Sequence, residues 1–403
     1  MQQKSIQVTQ TESERYASLR QIAWWRQQRL AGAHVMVIGA GALGNEVLKN
    51  LALLGVGHIV IVDHDTIELS NLARSVLFRA EDVQRPKVEV AAERIQQINP
   101  QVAVAPLYKD LLDVGLGVFR QMDIIMSCLD NREARRRVNL ACWRVGRPWI
   151  DGALDTLDGL VRIFYSQIEG TACYECILSA ADYALLEQNY SCPAGPSIPQ
   201  GHYPTTPTAA SIIAAMQVQE AVKMLHGKTV SIGHCTYYSG QTMRMTTVQY
   251  SPREDCPAHD HYEHIIELPL CAATTSIREL QALLQTRLGQ AVTVLRKQII
   301  VSTLHCPQCG SHVVTSQSYA TLTPAELRCP TCGQVRSITV ASTLADDEES
   351  LPLSQQGIPP LDILTVRSST KEYYVELSGD VIPYRFMEVP VHEHEASPKT
   401  SPE

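Results

Sequence analysis

Six of the twelve cysteines in this 403-residue chain stand in Cys-x-x-Cys pairs, at 173/176, 306/309 and 329/332. Thiolates at that spacing can converge on one tetrahedral metal ion, most often zinc. Cys306-Pro-Gln-Cys309-Gly and Cys329-Pro-Thr-Cys332-Gly are matched knuckles, each followed by a glycine that frees backbone amides to face sulfur. The 19 residues between Cys309 and Cys329 fit a structural zinc ribbon over 304–334. Such a site supplies about 10–16 kcal/mol of apparent binding energy to a small fold. A redox dithiol is the competing reading, and two matched knuckles disfavour it.

A second chemistry is written in Gly39-Ala-Gly41-Ala-Leu-Gly44, which follows the apolar, β-branched run that begins at His34. Glycines there let backbone amides at a helix N-terminus approach phosphate oxygens. Asp63, 19 residues past Gly44, ends a second strand and can hold a pair of ribose hydroxyls. By themselves these features serve a dinucleotide oxidoreductase equally well, and a bare structural turn also fits.

The elements that position these residues follow from apolar periodicity. An Arg- and Gln-rich helix with Trp24 and Trp25 is predicted over 15–30. Strands follow at 34–39 and 58–62, with a helix at 45–54 between them. This order opens a Rossmann-like α/β fold, expected over 31–262. A helix at 87–98 stops at Asn99-Pro100, strands come at 102–105 and 123–127, and a helix runs over 132–145. Beyond Gly159 the pattern reads strand 160–165, a proline-rich loop 191–207, an apolar helix 209–226, and strands 230–238 and 246–250.

A smaller α+β domain is expected over 263–390. Its elements are a strand at 264–268, a helix at 276–288, and strands at 291–303, 335–340, 361–367 and 372–377. Acidic Asp346–Glu349 reads as a linker, and the charged, Pro-rich stretch 391–403 as a disordered tail.

Composition narrows the function classes. Apolar residues make up 45% and charged residues 19%, which excludes general disorder. Lys and Arg number 34 against 42 Asp and Glu, a net charge of −8 that argues against a dedicated nucleic-acid binder. No apolar run reaches the roughly 18 residues that a membrane span needs. The N-terminal residues lack a secretion signal, so a cytoplasmic, reducing compartment is expected.

The densest signal is a series of motifs in order. Asp63-His-Asp65-Thr-Ile-Glu-Leu-Ser70-Asn71-Leu-Ala-Arg74 is followed by Arg85-Pro-Lys87 and then by Ser127-Cys-Leu-Asp130-Asn131. With the glycine loop, this run over roughly residues 15–260 resembles the ubiquitin-activating-type adenylyltransferases (the ThiF, MoeB and HesA kind). That family includes activators of the sulfur carriers used in thiamine and molybdopterin synthesis. The resemblance implies ATP and Mg²⁺ and adenylation of a protein's C-terminal carboxylate. In that reaction the carboxylate attacks the α-phosphorus and pyrophosphate leaves. The nucleophile is already ionised at neutral pH, so the site needs cations and a metal-binding carboxylate, and no general base.

The same resemblance places Arg74 and Lys87 at the phosphates, Asp130 on Mg²⁺, Asp63 on the ribose and Asn71 on the triphosphate. Asp65, Ser70 and Asn131 belong to the same binding surface. In the family an Arg-Tyr-x-Arg stretch reaches the partner subunit's site, which implies a homodimer. Here Arg15-Tyr16 runs on to Ala17-Ser18, and either Arg15 or Arg20 can serve.

The resemblance also extends the cysteine chemistry. In the family a second Cys-x-x-Cys pair completes the zinc site begun by the first. Here Cys256-Pro-Ala-His259 occupies that place, which implies a Cys₃His site of Cys173, Cys176, Cys256 and His259, with His261 a rival fourth ligand. Thioester-forming relatives carry their acceptor cysteine ahead of a Thr-Thr and a long helix. Cys192, ahead of Thr205-Thr206, matches that position, against the plainer reading of an idle loop cysteine. Cys128, Cys142, Cys235 and Cys271 read as packing residues.

Taken together, the expectation is a bacterial-type activator of a ubiquitin-like protein with a C-terminal glycine. It adenylates that terminus and then takes it onto Cys192. The α+β domain, if a ubiquitin-like β-grasp, would meet a ubiquitin-conjugating-type enzyme. The alternatives are a sulfur-carrier adenylyltransferase that makes only the acyl-adenylate, a non-catalytic nucleotide-binding scaffold, and an oxidoreductase if NAD binds in place of ATP.

Overall fold

The computed structural model describes residues 15–183, 205–319, 322–323, 325–343, 351–369, 371–380 and 386–387. Cys192, most of the 191–207 loop, the acidic 346–349 stretch and the 391–403 tail lie outside the described residues.

A short helix α1 (Gln27–Ala31) precedes strand β1 (His34–Ile38), which passes through the glycine loop into α2 (Ala42–Leu54) and β2 (His58–Asp63). Next come α3 (Lys87–Ile98), β3 (Ala103–Tyr108), α4 (Leu116–Arg120), β4 (Ile124–Ser127) and α5 (Arg132–Arg144). The strands β5 (Trp149–Asp155) and β6 (Asp158–Phe164), helix α6 (Pro207–Leu225), and strands β7 (His234–Ser239) and β8 (Arg244–Gln249) follow. They form an eight-stranded sheet in the order β3-β2-β1-β4-β5-β6-β7-β8. Strands β1 to β5 pair in parallel, and β6, β7 and β8 add on antiparallel.

Alternation along β1 shows how both faces are covered. Val35 and Val37 join a core with α2, α3 and α6, whereas Met36 and Ile38 face α4 and α5. A strand buried on both faces reads as a continuous apolar run. After β1 the chain moves outward to β2 and β3, then returns to β4 on the other side. The loops at the ends of β1 and β4 therefore part and leave a crevice, where ligands of such sheets bind.

The expected helix over 15–30 is not one helix. A 3₁₀ turn at Leu19–Gln21 and α1 are separated by extended Arg26 (φ −136°, ψ 96°). The break lets Trp25 bury itself with its ring 5.0 Å from that of His226, while His226 Nε2 accepts the Arg26 amide at 3.0 Å. The segment has no 3.6-residue apolar stripe to reward a continuous helix. Strand β7 begins four residues later than the sequence suggests, because Gly233 turns there with φ +72°. Strand β5 and helix α4 were not anticipated. Helix α4 is a single short turn and a half, and β5 carries Asp151 and Gly152 inside its apolar run.

The second unit comprises β9 (Ile265–Leu268), α7 (Ile277–Leu288), β10 (Thr293–His305), β11 (His312–Ser318), β12 (Ser337–Thr343), β13 (Ile363–Arg367) and β14 (Glu372–Leu377). Its sheet runs β11-β10-β13-β14-β9, with β12 on β10. Ser276 and Glu279 cap α7 reciprocally, as the sequence pattern Ser-x-x-Glu predisposes. Ile277, Leu280 and Leu284 then bury against Val294, Val366 and Val375. The long strand β10 extends past its expected end to His305 and delivers the first cysteine knuckle, and β11, also unanticipated, returns from it.

The two units share a seam. Asp362 Oδ1 accepts the Leu116 amide at 2.9 Å, so the second unit caps α4 of the first. Arg120 bonds both Glu267 (2.9 Å) and Glu376. The rings of Tyr262 and Tyr374 stack at 3.8 Å.

Candidate functional site

The glycine loop is shaped by close approaches. Gly39 has φ +93°, and a Cβ there would lie 2.6 Å from the Cys128 carbonyl oxygen at the end of β4. A Cβ on Gly44 would fall 1.9 Å from the Gly39 carbonyl oxygen, so the first turn of α2 can fold back only if that residue is glycine. Around Gly41 a Cβ would meet nothing within 4 Å, so the loop leaves an open face at the N-terminus of α2.

Asp63, at the end of β2, closes the loop from the side. Its Oδ2 accepts the Ala40 amide at 2.6 Å and its Oδ1 the Asp65 amide at 2.8 Å. Burial pushes this carboxyl above the ordinary carboxylate range, while Lys87 and the two amides pull it back. Lys87, at the start of α3, is mostly buried, and its Nζ donates to Asp65 Oδ2 at 2.7 Å. The Lys87 amide also donates to the Asp65 carbonyl at 3.0 Å.

Between these two points runs the Ser70–Arg74 segment. Asn71 Oδ1 accepts the Glu68 amide at 3.0 Å, and Ser70 Oγ donates to Glu68 at 3.2 Å, so both side chains close a 3₁₀ turn. Arg74 follows, half-buried, its amide bonded to Asn71 O at 3.1 Å. The exposed Asp130 stands beyond β4 and accepts from Asn131 Nδ2 at 3.3 Å, while Asn131 Oδ1 caps α5 through the Ala134 amide at 2.7 Å. Gly39–Gly44, Asp63, Asp65, Lys87 and the 128–131 turn are therefore gathered at the C-terminal ends of β1, β2 and β4.

Arg15 is not part of that gathering in its own chain. It donates to Ile98 O at 3.0 Å, at the end of α3 opposite Lys87. Arg20 is exposed in the same N-terminal segment.

Two cysteine clusters have the form of closed metal sites. Cys173, Cys176, Cys256 and His259 place all ligand atoms within 4.8 Å of one another, as do Cys306, Cys309, Cys329 and Cys332. In the first, Cys173 Sγ lies 3.7 Å from Cys176 Sγ and 3.6 Å from Cys256 Sγ, and His259 Nε2 lies 3.2 Å from Cys176 Sγ. Tetrahedral zinc–sulfur bonds of about 2.3 Å put sulfurs at such spacings. The Cys173 S–H and the Arg253 amide favour a thiolate at Cys176, against burial. The rings of His259 and His261 both lie along Trp143, at 4.8 and 5.7 Å, and His259 is the one within the cluster. In the second cluster the sulfur pairs 306/332 and 309/329 lie 3.5 Å apart. Asp63, His64 and Asp65 also lie close together, but exposed acidic groups commonly do so without a metal.

The sequence profile of the ThiF family matches residues 13–258, more than half of the chain. The chain belongs to the ThiF family. The sulfur carrier protein adenylyltransferase of Thermus thermophilus is 33% identical over 265 residues, covering 62% of this chain and 91% of its own length. The molybdopterin-synthase adenylyltransferase of Escherichia coli is 30% identical over 234 residues, covering 57% of this chain and 88% of its own. A SAMP-activating enzyme E1 of Haloferax volcanii is 30% identical over 240 residues, with 57% and 82% covered. The crystal structure of Escherichia coli MccB with ATP superposes with a TM-score of 0.51 at 22% identity, over 62% of this chain and 75% of that one, a likeness of fold. This ThiF-family chain is an enzyme of the adenylyltransferase type.

Several residues that organise the ThiF-family site escaped sequence reasoning. Asn45 is fully buried; its Nδ2 donates to Ala40 O at 2.7 Å and Gly41 O at 3.0 Å, and its Oδ1 accepts the Leu77 amide at 2.9 Å. It thereby ties the glycine loop to the segment that carries Arg74. Gln217 of α6, also fully buried, donates to Ser127 O and Ile150 O at 3.0 and 3.2 Å. Asp151 holds Arg135 and Arg162, each through Nε at 3.0 Å. A polar residue inside an apolar helix or strand was the available signal. Burial of the thiols of Cys128 and Cys142 pushes both well above the ordinary range, which disfavours the thiolate form.

Proposed function

We propose that this enzyme adenylates the C-terminal carboxylate of a ubiquitin-like protein with ATP and Mg²⁺, and then accepts the acyl group on Cys192 as a thioester. The observation that carries the reading is the convergence of an open glycine loop, Asp63 and Lys87 at the crevice of the parallel sheet, within a ThiF-family chain.

In this reading the loop amides receive the phosphates, and Asp63 takes the ribose hydroxyls beyond Ala40. Lys87 and Arg74 stabilise the charge that builds as the carboxylate oxygen bonds to the α-phosphorus and the bond to pyrophosphate breaks. Asp130 suits Mg²⁺, which takes one or two carboxylates plus substrate phosphate oxygens and waters, and the bound ion would neutralise phosphate charge. The thiolate of Cys192 would next attack the acyl carbon and release AMP. An arginine from a second copy, Arg15 or Arg20, would complete each site. Both cysteine clusters would hold structural zinc. The second unit, in its described residues an α+β fold with α7 on a mixed sheet, would receive a conjugating-type enzyme.

A second reading keeps the adenylation and omits the thioester. It draws support from relatives named sulfur carrier and molybdopterin-synthase adenylyltransferases, which this chain matches over most of their length.

The test is exchange of labelled pyrophosphate into ATP. It is expected only with Mg²⁺ and a ubiquitin-like protein bearing a free C-terminal glycine. Exchange without any protein substrate, or none with a panel of such proteins, would overturn the reading.

A further inference from the structure

We infer that Arg135 is a positioning residue for Asp130, acting through the carbonyl that precedes it. The inference rests on the reading of Asp130 as the Mg²⁺ ligand.

The Arg135 guanidinium is buried beneath the 128–131 turn and divided among three acceptors. Its Nε donates to Asp151 Oδ1 at 3.0 Å, and its Nη2 donates to the carbonyls of Leu129 and, at 3.3 Å, Gly152. Leu129 O belongs to the peptide that leads into Asp130. Asp130 itself is exposed and accepts from Asn131 at 3.3 Å, a long bond to its own neighbour. The aim of its carboxylate is therefore set by the backbone, and the backbone is held from below by Arg135.

The other end of the lever is rigid. Asp151 is fully buried in β5, and its second oxygen is taken by Arg162 of β6, whose guanidinium lies 5.1 Å from the Tyr174 ring centroid. One carboxylate thus serves two arginines, but only Arg135 reaches the metal-side turn. The guanidinium meets Asp151 and the two carbonyls from two separate nitrogens held in one plane, whereas an ammonium offers its three donors from a single nitrogen. Partners that hold a metal ligand typically change metal affinity about 10–100-fold when replaced.

This division of labour supplies an internal control. Arg135→Lys and Arg162→Lys both keep a buried cation on Asp151, and only the first loses the fork to Leu129. Mn²⁺ binding by the full-length protein, with a non-hydrolysable ATP analogue bound, is read by electron paramagnetic resonance. Melting temperature and analogue affinity are followed in parallel. The expected result is a rise of about tenfold or more in the Mn²⁺ midpoint for Arg135→Lys, with Arg162→Lys close to wild type and analogue affinity little changed in both. Equal shifts in the two variants, or no shift in Arg135→Lys while Asp130→Ala abolishes binding, would overturn the inference and leave the Asp130 assignment standing. Unchanged binding in Asp130→Ala would overturn that assignment, and the inference with it. Should Arg135→Lys fail to fold, Arg135→Met, which removes the donor to Leu129 O while Arg162 still pairs Asp151, replaces it with the same expected shift and the same overturning result.

Discussion

Lys87 donates to Asp65 twice, through Nζ to a carboxylate oxygen at 2.7 Å and through its amide to the carbonyl at 3.0 Å. The backbone bond clamps the start of α3 to the end of β2, and the side-chain bond parks the ammonium beside the glycine loop. In the proposed reading, a triphosphate entering the crevice would meet a cation already held in place. Preorganised charge of this kind is the usual main source of stabilisation in phosphoryl and nucleotidyl transfer.

Lys87→Ala is expected to cost about 2–4 kcal/mol of barrier in pyrophosphate exchange, the size found for single electrostatic stabilisers. Asp65→Asn keeps an acceptor near Lys87 and loses a half-exposed ion pair, so its cost should stay near or below about 1 kcal/mol. Rates for the two variants at saturating ATP test the ranking. A larger effect from Asp65→Asn would place the aspartate itself on the substrate.

Elemental analysis of the full chain should find two zinc ions. Cys176→Ala should lose one and Cys329→Ala the other. His259→Ala should release the first ion more readily to a chelator than His261→Ala, since His259 Nε2 lies within the cysteine cluster. Equal retention in both histidine variants would remove histidine from the ligand set.

Asp362→Ala should leave the Leu116 amide at the start of α4 without its acceptor and lower stability by about 1–2 kcal/mol. Gly117→Ala should cost more, because its Cβ would lie 2.4 Å from Leu361 O. Denaturant midpoints check both values, and a neutral Gly117→Ala would show that the seam can open freely.

Cys192→Ser should still support exchange while losing the reductant-sensitive band that links enzyme to partner on non-reducing gels. Persistence of that band would move the acceptor to another cysteine. Absence of the band in the wild type, with acyl-adenylate formed, would favour the sulfur-carrier reading.

Arginines acting across a dimer predict complementation. A chain with Arg15→Ala and Arg20→Ala, mixed with a Lys87→Ala chain, should show more exchange than either alone, because one site in the mixed dimer is whole. No recovery in verified mixed dimers would place the arginines in their own chain's site, or outside it.

The residues that the fold gathers at the candidate site were legible from sequence because they are local signals. A glycine loop after an apolar strand, an aspartate at the end of the next strand and paired cysteine knuckles each depend on a few neighbouring residues. Strands β1 and β2 declared themselves by unbroken apolar runs, and α7 by its capping box. Tertiary structure alone decided what joins across long distances. Nothing in the sequence near Leu116 announces that Asp362, 246 residues away, will cap it. The N-terminal helix was misread because packing Trp25 against His226 outweighed local propensity. Asn45, Gln217 and the Arg135–Asp151–Arg162 group showed in the sequence only as polar residues in their elements, and their role was hidden for a related reason. A buried polar side chain is meaningful only through its partners, and those come from separate strands and helices that the folded sheet alone brings together.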